Sequence, residues 1–575
     1  MLARTFKAPL FGIAAALSLA GCATAPVAPV ETAAPQATQG AVSAADPRAQ
    51  EAGYEMLRRG GTATDAAIAV MLALTVVEPQ SSGIGGGGFM VLGDADGTVT
   101  TYDGRETAPA GATPDWFLDK DGRVPPFRDS VRSGLSVGVP GNLALAAKAH
   151  AEHGKLPWAQ LFEPAIALAR DGFRVNPRLN KSLSDSADTG ARSDQGKALY
   201  YDAAGAPVAI GSTLTNPALA RTLERIAQAG PDAFYDGDFA ERIAKTVADD
   251  TPRSGAMTVR DIEGYVAKER APLCTRYRAY RICAMGPPTS GGVAVMQIIG
   301  QLERFDLAAL GPRNPVTWHL FLESQRLAYA DRELYLADSD FVPVPAAGLI
   351  APDYLARRGA LILPGSTLAE VKPGTPEGAD LALADGDEPE ERGTSHIAVV
   401  DDAGTMISYT STIESAFGSG LMVDGFYLNN ELTDFSRSPT VDGKSVANRV
   451  EGGKRPRSSM APVVVYDPQG QPFMAVGAAG GSTIPVQTAR SIIGVIDFGL
   501  APEDALGLPF VMAFGDSVLL EEGTWLADSQ DAFRSLGHTM LTIRPAPVKA
   551  GIVVREGDRW VSARDPRLEG QLELP

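Results

Sequence analysis

Gly393-Thr394-Ser395-His396-Ile397-Ala398-Val399-Val400, followed after a short turn by Thr405-Met406-Ile407-Ser408-Tyr409-Thr410-Ser411-Thr412, is the stretch that decides the fold. Both runs are apolar, β-branched or alternating, and Asp401-Asp402-Ala403-Gly404 lies between them. This predicts two strands joined by a tight turn. The chain just upstream has the opposite character. Pro373 to Gly393 holds Glu377, Asp380, Asp385, Asp387, Glu388, Glu390 and Glu391 with little apolar content, which is the composition of a loop or a disordered tract. A soluble acidic tract running straight into a core strand is what a processing site at the mouth of that strand looks like.

Outward from this junction the chain reads as a folded α/β protein. Of its 575 residues, 45% are hydrophobic and 21% charged, the balance of an ordinary globule. Helices are predicted at Ala49 to Arg59 and Thr64 to Val77, with Thr62 or Thr64 as cap, and at Asn142 to His153, Pro157 to Arg170, Pro217 to Gln228, Val293 to Arg304 and Pro315 to Leu336. A glycine-dense loop, Gly83 to Gly88, precedes a strand at Phe89 to Leu92. With 51 Lys+Arg against 69 Asp+Glu the formal charge is −18, a poor match for nucleic acid. The five His form no ligand pattern such as HExxH and there is no CxxC, so neither a built-in metal nor any other cofactor is expected.

Residues 1–21 read as an export signal, with Arg4 and Lys7 before an apolar run too short to span a bilayer. Leu19-Ala20-Gly21-Cys22 resembles a lipobox, in which Cys22 takes the lipid. Residues 22–46, rich in Ala and Pro, read as a tether. The expectation is an exported, periplasmic protein, lipid-anchored to the outer membrane of a Gram-negative bacterium. Cys274 and Cys283 flank a β-prone stretch with a central turn. They are either a disulfide across paired strands or two buried thiols.

Two glycine motifs point elsewhere. Gly83 to Gly88 satisfies GxGxxG, but the order is helix, loop, strand rather than strand, loop, helix. Gly134-Leu135-Ser136-Val137-Gly138 satisfies GxSxG, yet the polar run Phe127 to Arg132 leads into it where a buried strand is required. Ser136 as the nucleophile of a serine esterase is the rival enzyme reading, and a non-catalytic envelope lipoprotein is the rival outside enzymes.

Several blocks recur in a fixed order: Gly60-Gly61-Thr62-Ala63-Thr64-Asp65, Ser81 to Phe89, Asp103-Gly104-Arg105-Glu106-Thr107-Ala108-Pro109, Gly286 to Gly292, Gly393-Thr394-Ser395-His396, Leu428 to Ser436, Lys454 to Pro462 and Gly477 to Ser482. This order closely resembles the γ-glutamyltransferase family of N-terminal nucleophile hydrolases, from about Pro47 to the end. The resemblance implies a four-layer αββα sandwich. It also implies autocatalytic cleavage between Gly393 and Thr394, giving a large subunit, 47–393, and a small catalytic subunit, 394–575. Cleavage frees an α-amine on the threonine itself. Such an amine titrates at about 7.7–8.0 and serves as the hydroxyl's own base, so no His is needed.

The resemblance assigns the remaining roles. Thr394 is the nucleophile and Thr412 its hydrogen-bond partner. Gly480 and Gly481 form the oxyanion hole. Arg105, with Ser458 and Ser459, binds the α-carboxylate of a γ-glutamyl group, and Glu414, Glu431 and Asp434 accept from its α-ammonium. Glutathione-like donors and amino acid or peptide acceptors are the implied partners. A glutaryl- or cephalosporin-type acylase is the alternative within the family. Glu414 and Glu431 replace the Asn and Gln common there, Thr62 replaces a usual Asn, and Arg437 to Gly453, in the place of the substrate lid, is short and lacks an aromatic residue. His396 reads as a packing residue.

Overall fold

The computed structural model describes Met1 and residues 39–380, 382–384, 386, 393–547 and 549–574. The expected signal, Cys22 and most of the tether lie outside the described residues. The unit from Gln36 to Pro575 is built on two six-stranded sheets. The strands that matter are β1 (Ala41–Ala44), β2 (Gly87–Gly93), β3 (Val99–Gly104), β4 (Lys268–Arg270), β5 (Leu273–Tyr277), β6 (Tyr280–Ala284), β7 (Ser395–Val400), β8 (Met406–Thr412), β9 (Val463–Tyr466), β10 (Pro472–Ala479), β11 (Lys549–Glu556) and β12 (Arg559–Arg564). The first sheet has the order β1-β7-β8-β2-β3-β4, the second β12-β11-β10-β9-β6-β5.

Period-two alternation decides how the layers stack. Ile397 and Val399 of β7, with Ile407 of β8, join the core made with α1 (Pro47–Arg58) and α2 (Ala63–Val77). Ala398, Val400 and Met406 point the other way, into the core shared with Val464 and Val476 of the second sheet. Ser408 ties the sheets together: its Oγ donates to the Val476 carbonyl at 3.0 Å and accepts from Val463 N–H at 3.0 Å. On the far face of the second sheet lie α3 (Gly291–Leu302), α4 (Pro315–Tyr335) and α5 (Ile484–Ile496). The result is the four-layer αββα sandwich. The central strands β7 and β8 follow Gly393 in the chain, and those flanking them precede it.

Local signals explain the elements. Thr62 and Asp65 form a reciprocal capping box at the start of α2. Every residue of α2 is buried, which suits its Ala-rich sequence, because small side chains let it lie between sheet and outer helices. The tether reading needs one correction. Ala41–Ala44 is not linker but an edge strand, antiparallel to β7 with Ala41 opposite Val400. Its alanines have little strand preference of their own, so the open edge of β7 supplies what composition does not. The cysteine alternative is resolved as well: Cys274 and Cys283 face each other across the β5–β6 hairpin and are disulfide-bonded. No helix among the described residues is long and apolar enough to cross a membrane.

Candidate active site

Thr394 stands immediately ahead of β7, at the meeting of the two sheets. Its Oγ1 donates to Thr412 Oγ1 at 3.0 Å, and Thr412 Oγ1 also accepts the Glu414 N–H at 2.8 Å. The Thr394 N–H donates to the Ser81 carbonyl at 2.9 Å. Its φ is 110°, a region that β-branched residues avoid, and such strain costs about 1–3 kcal/mol. The glycine loop that resembled a dinucleotide fingerprint has a different task. A Cβ on Gly86 would lie 2.0 Å from the Thr412 carbonyl oxygen, and one on Gly85 2.0 Å from that of Tyr427. Only bare backbone can press against the strand that holds Thr412 and the segment beyond it.

A buried charge cluster, absent from the sequence reading, lies against Thr394. Lys549 Nζ donates to the Thr394 carbonyl (2.8 Å), Glu78 Oε2 (2.6 Å) and Ser395 Oγ (3.0 Å). Arg178 Nε reaches Glu78 Oε1 at 2.8 Å. Burial works against a charged Glu78, but Lys549 and Arg178 outweigh it and bring its carboxyl down to about 2. Burial lowers Lys549 to about 8 despite Glu78. Both partners are therefore charged at pH 7. The Glu78–Lys549 contact spans 471 positions, so no local pattern announces it.

Beyond Thr412 and Glu414 lies an acidic cluster around one guanidinium. Arg105 is fully buried. Its Nη2 contacts Asp434 Oδ2 at 2.5 Å, its Nη1 pairs with Glu431, and it donates to the carbonyls of Pro456 (3.2 Å) and Arg457 (2.8 Å). The residue expected to hold a carboxylate and two of those expected to hold an ammonium are thus paired with each other. The next residues, Ser458 and Ser459, are placed by α3 and α4: the Ser458 carbonyl accepts from Ser290 Oγ at 2.6 Å, and Ser459 Oγ accepts from Arg332 at 2.7 Å. Glu414, with φ 73°, bonds Asn430 and Ser415. Glu106, which the sequence reading passed over although it follows Arg105, brings a fourth carboxylate within 4.0 Å of Arg105 Nη1. Burial lifts Glu106 and Glu414 to about 8, and lifts Glu431 well above the carboxylate range, against the pull of Arg105. Four carboxyl groups thus gather around one guanidinium, and at pH 7 burial favours the protonated form of Glu106, Glu414 and Glu431.

Gly480 and Gly481 have φ of 121° and 57°, an abrupt turn at the end of β10 that leads through a short 3-10 turn into α5. The helix start adds partial positive charge there. Gly480 and Thr394 line one cavity. His396 lies between the sheets, where a side chain on Gly477 would otherwise be. Its Nδ1 meets Thr410 Oγ1 at 3.0 Å, and burial lowers it to about 3, so it is neutral. Ser136 is no nucleophile: its hydroxyl is buried in a 3-10 turn and donates to the carbonyls of Val131 and Ser133, both at 2.8 Å. His319, Glu323 and His538 come within metal-ligating reach of one another. The two imidazoles bond each other at 2.8 Å, and Glu323 is held by Arg326 and the Leu368 N–H.

Two stacked sheets between helical layers, with a threonine at the head of a central strand, define an N-terminal nucleophile hydrolase. Residues 49–574 match the gamma-glutamyltranspeptidase family model. The chain is 37% identical over 523 residues to the glutathione hydrolase proenzyme of Bacillus subtilis (strain 168), covering 89% of this chain and 87% of that one. It is 36% identical over 544 residues to that of Escherichia coli (strain K12), covering 92% and 91%. Among solved structures, cephalosporin acylase from Bacillus halodurans superposes with a TM-score of 0.78 at 26% identity, over 95% of this chain and 97% of that one. The chain belongs to the gamma-glutamyltranspeptidase family.

Proposed function

We propose that this protein cleaves itself before Thr394 and then transfers γ-glutamyl groups from glutathione-like donors to water or to an amino acid or peptide. The observation that carries the reading is the placement of Thr394: strained, bonded to Thr412, and lining one cavity with Gly480. Once the Gly393–Thr394 bond is cut, the Thr394 α-amine takes the hydroxyl proton. Oγ1 attacks the γ-amide carbonyl, the N–H groups of Gly480 and Gly481 stabilise the oxyanion, and the amine leaves with the proton. An ester on Oγ1 remains, and water or a second amine resolves it. Arg105, Ser458 and Ser459 face the donor's α-carboxylate, and Glu414, Glu431 and Asp434, joined by Glu106, its ammonium.

The glutathione hydrolase relatives support this substrate class, and the acylase likeness keeps glutaryl amides as the competing one. The export signal and Cys22 support a periplasmic, lipid-anchored location. Amino-terminal sequencing of the purified protein should find a fragment beginning Thr394-Ser395-His396. Thr394→Ala should leave a single intact chain without turnover. γ-Glutamyl anilides should be cleaved and glutaryl anilides, which lack the ammonium, should not. An intact active chain would overturn the reading, and a preference for glutaryl donors would overturn the substrate.

A further inference from the structure

The His319–Glu323–His538 cluster is not used by the chemistry proposed at Thr394, yet the chain around it is organised to aim it. His319 and Glu323 stand four residues apart on α4, so they share one face, and both are fully buried. His538 follows the helix Gln530–Ser535 and is buried too. One ligand atom from each of the three lies within 4.8 Å of the other two. A single segment, 363–368, fixes all three. The Leu363 carbonyl meets His319 Nε2 at 2.8 Å, and the Leu368 N–H donates to Glu323 Oε2 at 2.6 Å. The Thr367 N–H donates at 2.9 Å to the carbonyl of Leu536, two residues before His538.

A carbonyl only accepts, so His319 carries its proton on Nε2 and turns a bare Nδ1 lone pair toward His538 Nε2, 2.8 Å away. An imidazole whose far nitrogen donates to a backbone carbonyl has the arrangement of a metal ligand. Glu323 Oε1 accepts from Arg326 at 2.8 Å and Oε2 from Leu368, and each carboxylate oxygen has a second lone pair. The charge of Arg326 is offset in turn by Asp516, 2.7 Å away. We propose that His319 Nδ1, His538 Nε2 and the Glu323 carboxylate bind one zinc ion, with water as the fourth ligand. Two imidazole nitrogens and a carboxylate oxygen suit a tetrahedral zinc site. Binding shifts the His538 proton from Nε2 to Nδ1. It also opens the two facing nitrogens from 2.8 Å to about 3.3 Å, the spacing of tetrahedral ligands about 2.0–2.1 Å from the ion. His319 and Glu323 precede Gly393 and His538 follows it, so after cleavage the ion ties the two chains together. That tie rests on the cleavage reading, whereas the binding does not. No short motif announces the site, because the two histidines are 219 positions apart.

The test uses the untagged full-length protein as purified, stripped with chelator and titrated with zinc sulfate. Calorimetric titration should give about one zinc per protein. Free zinc at about 1,000 times the dissociation constant should raise the thermal midpoint by about 3 °C. His319→Gln and His538→Gln should each weaken binding by at least about 10-fold. Absence of stoichiometric binding in the unmodified protein overturns the proposal. So does unchanged affinity in both variants, which marks zinc held elsewhere on the surface. If neither variant folds, cobalt(II) replaces zinc in the unmodified protein. The visible absorption of tetrahedral cobalt supports the site, and an octahedral spectrum overturns it. Zinc should also raise the denaturant concentration at which the large and small chains separate, and no change there sinks the tie. The Thr394→Ala protein, which stays uncleaved, should bind zinc with unchanged affinity. An unmodified protein that binds zinc but is found as one intact chain would sink the cleavage reading and the tie, and leave the zinc site standing.

Discussion

Gly393→Ala should leave the fold intact and stop the chain from maturing. A Cβ at position 393 would lie 1.7 Å from the Glu414 carbonyl oxygen and 2.6 Å from its carbon. Both are backbone atoms of a positive-φ residue whose N–H is fixed on Thr412 Oγ1, so Glu414 cannot yield cheaply. Reaching even a 3.0 Å contact requires residue 393 to move by about 1.3 Å. Self-cleavage needs Thr394 Oγ1 within about 3–3.5 Å of the residue 393 carbonyl carbon, and a misplacement of about 1 Å costs on the order of 100-fold. Conversion should therefore slow by about 100-fold or more. The assay is a time course of purified precursor on a denaturing gel, with circular dichroism as the check on folding. Folding should be unchanged because residue 393 lies outside both sheets. Co-expressing separate chains ending at 393 and starting at Thr394 should restore turnover, since cleavage is then unnecessary. A Gly393→Ala precursor that matures at the unmodified rate would refute the steric argument.

Three further outcomes follow from the site. Lys549→Met should destabilise the protein by about 3–5 kcal/mol, because Glu78 keeps its charge in a buried position and loses a partner. Adding Glu78→Gln should recover part of that loss in chemical denaturation, and a double variant as unstable as the sum of the singles would contradict the pairing. Glu106 is raised from about 4.5 to about 8 by burial, so between those values the folded state binds more protons than the unfolded one and this carboxyl makes stability fall as pH rises. Glu106→Gln should accordingly raise the thermal midpoint of the ligand-free protein relative to the unmodified chain more at pH 8.5 than at pH 5.5, and an equal or reversed difference would show that the carboxyl is not raised. Ser136→Ala should keep turnover within about 2-fold, since its hydroxyl only satisfies two carbonyls; loss of activity with the fold preserved would revive the esterase reading.

Much of this molecule is legible from neighbours a few residues apart. The α2 cap at Thr62 depends on Asp65 three residues on. The helix at Asn142–His153 and the strand pair after Gly393 follow from apolar spacing and turn residues. The junction of an acidic tract with a buried strand read as a processing site, and the family resemblance placed Thr394 there. What spacing cannot supply is which distant charges become neighbours. Lys549, Glu78, Arg178 and Arg544 come from separate elements and meet only because the two sheets stack at Thr394. Ala41–Ala44 is a strand only because β7 leaves an edge open beside it. The sequence alone determined the local elements and the stock of charges. Tertiary packing decided their distribution, four carboxyl groups gathered around Arg105 and three cations lining a cavity with Thr394, because burial removes the water that would otherwise make each charge indifferent to where it sits.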